Sequence, residues 1–112
     1  MIATFEKTNK MQALTERVTA SKLIFASNML KVIAHPVRLA IVDALYQAEK
    51  LTVIEIQEKL YLNQPIASQH LTLMQDKGVL TSEKVGRNRF FKLKYPDMIK
   101  IINCLENCCN TI

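Results

Sequence analysis

Two groups of residues in this sequence have types and spacings suited to chemistry. The first is Gln64, Ser68, Gln69, His70 and Thr72, followed some fifteen positions later by Arg87, Asn88 and Arg89. A glutamine amide can pair with an adenine edge through two hydrogen bonds, and a hydroxyl or guanidinium can hold a phosphate. Such residues on one helix, with a basic hairpin behind it, are what reading a DNA groove requires. The second group is Cys104, Cys108 and Cys109. Cys104 and Cys108 are four apart and share a helix face. Such thiols can take a soft metal or arsenite, be oxidised, or simply pack as small hydrophobes.

The first group needs a helix with a defined inner side. The segment NQPIASQHLTLMQDKG supplies one. Asn63 is an N-cap and Pro65 fits the first turn, where a missing N–H costs nothing. Ala67, Leu71 and Met74 form an apolar stripe. At about 100° per residue, Pro65, Gln69, Thr72 and Asp76 fall on the opposite face, with Ser68 on its flank. His70 lies about 60° from the buried stripe, so both a DNA contact and packing within the motif remain open for it. Gly78 ends the helix as a left-handed cap.

The elements around that helix follow from the same rules. The spacing of Met11, Leu14, Val18, Phe25, Met29 and Ile33 predicts one helix from about residue 8 to 34. His35 and Pro36 end it, and Pro36 starts a second helix over 36–48 with Val37, Ile41, Ala44 and Leu45 inward. A third helix, 52–61, opens on a capping box of Thr52 and Glu55, with Ile56 and Leu60 turned in. With the helix after it, this predicts a helix-turn-helix over 52–77. Residues 79–94 read as a hairpin, the wing, with strands 79–84 and 89–94 and a turn at Val85-Gly86-Arg87-Asn88. Gly86 and Asn88 can both take positive φ there. Phe91 and Leu93 share one strand face; Phe90, Lys92 and Lys94 share the other. A last helix, 96–109, carries Met98, Ile99, Ile101, Ile102 and Leu105 on more than one side, more apolar surface than its own subunit can cover. The expectation is a mainly α domain with a small β-hairpin, dimerising through its N-terminal helix (1–34) and C-terminal helix (96–109).

At 112 residues with a net charge of +5, the chain has the length of one domain and a basic balance. That charge is uneven: residues 59–94 hold seven basic and two acidic side chains, whereas residues 1–58 hold seven and six. A positive excess on the helix-turn-helix and wing implies a polyanionic partner. A solvated protein-interaction module has no need to place it there. The cysteines cluster near the C-terminus and make no disulfide framework. No signal peptide and no apolar run of membrane-spanning length is visible, which points to the cytoplasm. No phosphate loop, paired acids or nucleophile-base pair stands out, so no enzyme and no cofactor is expected.

The segments LKVIAHPVRLAIVDAL, LTVIEIQEKL, NQPIASQHLTLMQDKGVL and GRNRFFKL, in that order, resemble the ArsR/SmtB family of winged-helix repressors. The resemblance covers residues 30–94. It implies a homodimer that places the second helix of the motif in the major groove of an inverted-repeat operator and the wing on the flanking backbone. It further implies that Gln64, Ser68, Gln69 and His70 occupy recognition-helix positions, and Arg87 and Arg89 basic wing positions. The chain departs from the family's metal sensors. Thr52 and Ile54 stand where paired thiolates would lie, and the last helix has Asp97 but no histidine. Neither metal site is expected, which leaves three readings: a regulator with no effector on this chain, a thiol- or metalloid-responsive repressor using the three cysteines, or a winged-helix protein-interaction module.

Overall fold

The computed structural model describes residues 13–111. Helices α1 (Leu14–Arg17), α2 (Ala20–Ile33) and α3 (Pro36–Ala48) lead to a short strand β1 (Leu51–Thr52), then α4 (Val53–Leu60) and α5 (Gln64–Asp76). Strands β2 (Leu80–Val85) and β3 (Asn88–Leu93) follow, then a 3-10 turn (Pro96–Met98) and α6 (Ile99–Cys109). This is a winged helix-turn-helix, with α4 and α5 as the motif and β2–β3 as the wing.

The long first helix is the main correction. It breaks at Val18 and Thr19, which are both extended, and α2 restarts with the Thr19 hydroxyl accepting from the Lys22 N–H. Two consecutive β-branched residues weaken helix, and threonine competes for the backbone as a cap. Apolar spacing alone does not register this. Met11 and the expected helix start near residue 8 lie outside the described residues. At the far end, His35 does more than terminate a helix: its Nδ1 accepts the Val37 N–H and caps α3.

The wing is also larger than a hairpin. β1 pairs antiparallel with β3, Leu51 opposite Phe91 and Thr52 opposite Phe90, giving a sheet in the order β1-β3-β2. Thr52 therefore has two duties, because it also closes the capping box with Glu55. In the hairpin, Gly86 takes φ +64 while Asn88 stays in the ordinary range and begins β3. The turn thus has two residues, with glycine first, as a II′ hairpin requires.

The core lies where α3, α4, α5 and the sheet meet. Ile41, Val42, Leu45, Ile56, Leu71, Met74, Val79 and Leu80 are essentially inaccessible, and Phe91 and Leu93 close it from the wing. α6 contributes Ile99, with Ile101 and Ile102 half-buried against the same core. Apolar side chains are left over on the outside: Ile24, Phe25 and Leu30 of α2 and Leu105 of α6 are exposed. Phe25 meets Tyr95 edge-on, with ring centroids 5.7 Å apart. Among the described residues, no helix is long and apolar enough to cross a membrane.

Candidate nucleic-acid interface

The orientation of α5 follows from its burial. Ala67, Leu71 and Met74 have no exposed surface, and α4 packs beside them. That fixes the rotation of the helix and leaves Pro65, Gln69, Thr72 and Asp76 facing out. With Ser68 and Leu73 these residues line a shallow, open groove. The helix begins where Asn63 accepts the Ile66 N–H at 2.9 Å. It ends in a Schellman motif: Gly78 at φ +85, the Val79 N–H donating to Met74 O and the Gly78 N–H to Gln75 O. Both ends are capped, which fixes where the outward face starts and stops.

Within that face, Gln64 donates from Nε2 to Ser68 Oγ at 2.7 Å. The two side chains hold each other at the N-terminal end of the helix. Gln69 and Thr72 stand clear of any side-chain hydrogen bond among the described residues, available to a partner. Arg87 and Asn88 are exposed at the wing turn. Arg89 is exposed as well but is tethered. Its guanidinium donates to Ser82 Oγ at 3.0 Å, and Ser82 donates to Gln75 Oε1 at 2.9 Å. This chain of contacts links the wing to the last turn of α5, so the two parts of the interface are held in register.

His70 points elsewhere. It is half-buried, its ring centroid lies 4.7 Å from that of His35, and its Nδ1 accepts from Arg38 Nε at 3.3 Å. Burial foremost, then the neighbouring His35 and Arg38, holds its pKa below the ordinary 6.5. Arg38 also donates from Nη1 to Val32 O at 2.7 Å, satisfying a free carbonyl at the end of α2. One guanidinium thus ties α2, α3 and α5 together. The sequence does not single out Arg38, Ser82 or Gln75, because their roles appear only once helices distant in sequence are packed. Tyr61 escapes it too. This residue occupies the turn between α4 and α5 at φ 55, ψ 48, and is 94% exposed beside the N-terminus of α5. A non-glycine residue in the left-handed region has no sequence signal.

The three cysteines are free and exposed along the last turns of α6. Among the described residues, no three His, Cys, Asp or Glu side chains gather closely enough to share an ion. Thr52 spends its hydroxyl on the Glu55 capping box.

Residues 35–82 match the model of the bacterial regulatory proteins of the arsR family. The transcriptional repressor PagR of Bacillus anthracis is 38% identical over 80 residues, covering 71% of this chain and 80% of PagR. The chain belongs to the arsR family. The crystal structure of PagR superposes on this arsR-family chain with a TM-score of 0.69 at 36% identity, over 76% of this chain and 97% of that one. The transcriptional repressor BigR of Xylella fastidiosa superposes with a TM-score of 0.71 at 25% identity, over 85% and 96%. The HTH-type transcriptional repressor SmtB of Mycobacterium tuberculosis is 38% identical over 68 residues, 61% of this chain. That match spans half the length of the SmtB repressor. The matched segment 35–82 runs from the His35 cap to Ser82, and so contains the whole of α5 but not the wing turn.

Proposed function

We propose that this arsR-family chain is a DNA-binding transcriptional repressor that acts as a homodimer on an inverted-repeat operator. The observation that carries this is the outward face of α5: a row of small and polar side chains, Pro65, Ser68, Gln69, Thr72 and Asp76, on a helix whose opposite stripe is buried to zero exposure. In this reading Gln69 and Thr72 read base edges, and Gln64 and Ser68 hold the backbone at the helix start. Arg87 and Asn88 grip flanking phosphate from the wing turn, and Arg89 does so while bracing the wing. His70 contributes through its tie to Arg38. The charge distribution supports the reading, since the excess of basic residues falls on residues 59–94. The repressors PagR and BigR among its relatives support it too. Exposed Ile24, Phe25, Leu30 and Leu105 on α2 and α6 favour pairing through those helices.

Selection from a random duplex pool, followed by anisotropy titration, tests the proposal. The expected product is a palindromic site with half-sites about 34–36 Å apart, bound by two chains. A monomer in sedimentation that binds all duplexes alike would overturn it.

The exposed, unpaired state of Cys104, Cys108 and Cys109 favours a further refinement, a repressor released by oxidation or by a soft metalloid at α6. The triple variant Cys104→Ser, Cys108→Ser, Cys109→Ser, assayed on the selected duplex with oxidant and with arsenite, decides this. An identical response from the wild type makes the cysteines packing residues.

A further inference from the structure

Away from the DNA-facing side, a cavity of about 500 Å³ opens between the end of α3, strand β3 and the entry to the 3-10 turn. Its apolar lining is the exposed ring of Pro96 and the small accessible edges of Leu93 and Leu45, which are otherwise buried in the core. Its polar lining is Tyr46 and Glu49 at the end of α3, Thr81 of β2, Lys92 of β3 and Lys94 just past the end of that strand. A concave volume of this size, with apolar and cationic side chains side by side, suits a small amphipathic ligand.

Two further observations bear on the cavity. The first is charge. Among the described residues the one ion pair joins Lys100 to Asp97, so neither cavity lysine meets a described carboxylate within 4.0 Å; Lys94 Nζ lies 5.7 Å from the Tyr95 ring centroid. Against Lys92 and Lys94 the lining offers one acid, Glu49, which leaves the cavity net positive. The second is backbone strain in the wall itself. Glu49 ends α3 at φ 73, ψ −52, and the Lys50 N–H donates to Ala48 O at 2.8 Å across it. That is a γ-turn of the rare, strained form, occupied by a residue with a Cβ. Strain of this kind persists where the surroundings fix it and gathers at ligand sites.

We propose that this cavity binds a small organic anion, a carboxylate on a compact apolar body, with the body on Leu45, Leu93 and Pro96 and the carboxylate between Lys92 and Lys94. A bare inorganic anion makes no use of the apolar lining, and a neutral molecule makes none of the lysines. Such binding stands whether or not α5 meets DNA.

The test is an NMR titration of the full chain, free of DNA, with benzoate, benzamide and inorganic phosphate. Benzoate is expected to shift the amides of Leu45, Tyr46 and Leu93 saturably below about 10 mM, with benzamide at least about tenfold weaker. Phosphate should leave Leu45 and Leu93 unmoved. The double variant Lys92→Gln, Lys94→Gln changes exposed side chains only, and its spectrum reports whether it folds. It should weaken benzoate about tenfold and leave benzamide unchanged. Absence of saturable shifts, equal response to benzoate and benzamide, or undiminished benzoate binding by the folded double variant would each overturn the assignment.

Discussion

Arg38 donates to His70 Nδ1 at 3.3 Å while the same guanidinium donates to Val32 O at 2.7 Å. The helix assigned to DNA is thereby fastened to the helix that arrives from the N-terminal side. The bond to His70 requires an unprotonated Nδ1, because a second N–H there would face the guanidinium donor.

A pH dependence follows, with a definite sign. His70 is held below its ordinary 6.5 by burial, His35 and Arg38. A histidine with a depressed folded value binds fewer protons when folded than when unfolded. Its contribution is fully present above the unfolded value of about 6.5 and is lost as pH falls through the folded one. The melting temperature should therefore drop as pH falls below about 6.5, and more steeply in the wild type than in His70→Asn, which keeps an acceptor but does not titrate. Parallel pH profiles for the two proteins would show that His70 carries no such linkage.

Arg38→Ala removes the donor to His70 and frees the Val32 carbonyl. Removing hydrogen bonds from a charged, half-buried donor is expected to cost about 1–3 kcal/mol. Urea unfolding reads this directly, and the variant should still fold, since the buried side chains around it are untouched.

Gln69→Ala should narrow the preference for the selected operator over scrambled DNA. A bidentate pairing with adenine is worth about 1–3 kcal/mol of discrimination. Equal weakening on both duplexes in anisotropy titrations would assign Gln69 no base.

Arg87→Ala and Arg89→Ala should separate in kind. Both weaken binding to every sequence, and for each phosphate that is no longer neutralised the salt dependence flattens by about 0.9 in log–log slope. Arg89→Ala also removes the bond across the hairpin to Ser82, while Ser82–Gln75 remains, so it alone should shift wing amide signals in the free protein.

Tyr61→Gly should raise stability. The left-handed backbone at φ 55 costs a side-chain-bearing residue about 1 kcal/mol relative to glycine. The same substitution removes an almost fully exposed ring beside the start of α5. Weaker DNA binding by a more stable protein would add Tyr61 to the interface.

The sequence makes legible whatever depends on local chemistry and period. Asn63, Pro65 and Gly78 mark α5 within a residue at either end, and Ala67, Leu71 and Met74 give its inner stripe. Thr52 and Glu55 mark the start of α4. Phe91 and Leu93 alternate as a strand must, and both are buried. What stays hidden involves partners distant in the chain or backbone choices that several residue types tolerate. The break at Val18 and Thr19 interrupts an apolar period that continues across it. β1 has only two residues, too few for any alternation, and exists because β3 offers an open edge. His70 is ambiguous on a helical wheel and is placed by His35 and by Arg38, thirty-two positions away.

The pairing of β1 with β3 carries one more implication. Thr52 is at once the cap of α4 and a strand residue opposite Phe90. Wing and helix-turn-helix are thus bolted together at one end by Thr52 and at the other by Arg89, Ser82 and Gln75. In the proposed dimer these ties would make each subunit a stiff stamp, with little play between its two printing surfaces. For the proposed repressor, control over such a stamp would be exerted on its placement. A signal that shifts one copy against another, or that changes how many copies assemble, alters what is printed without reshaping the die.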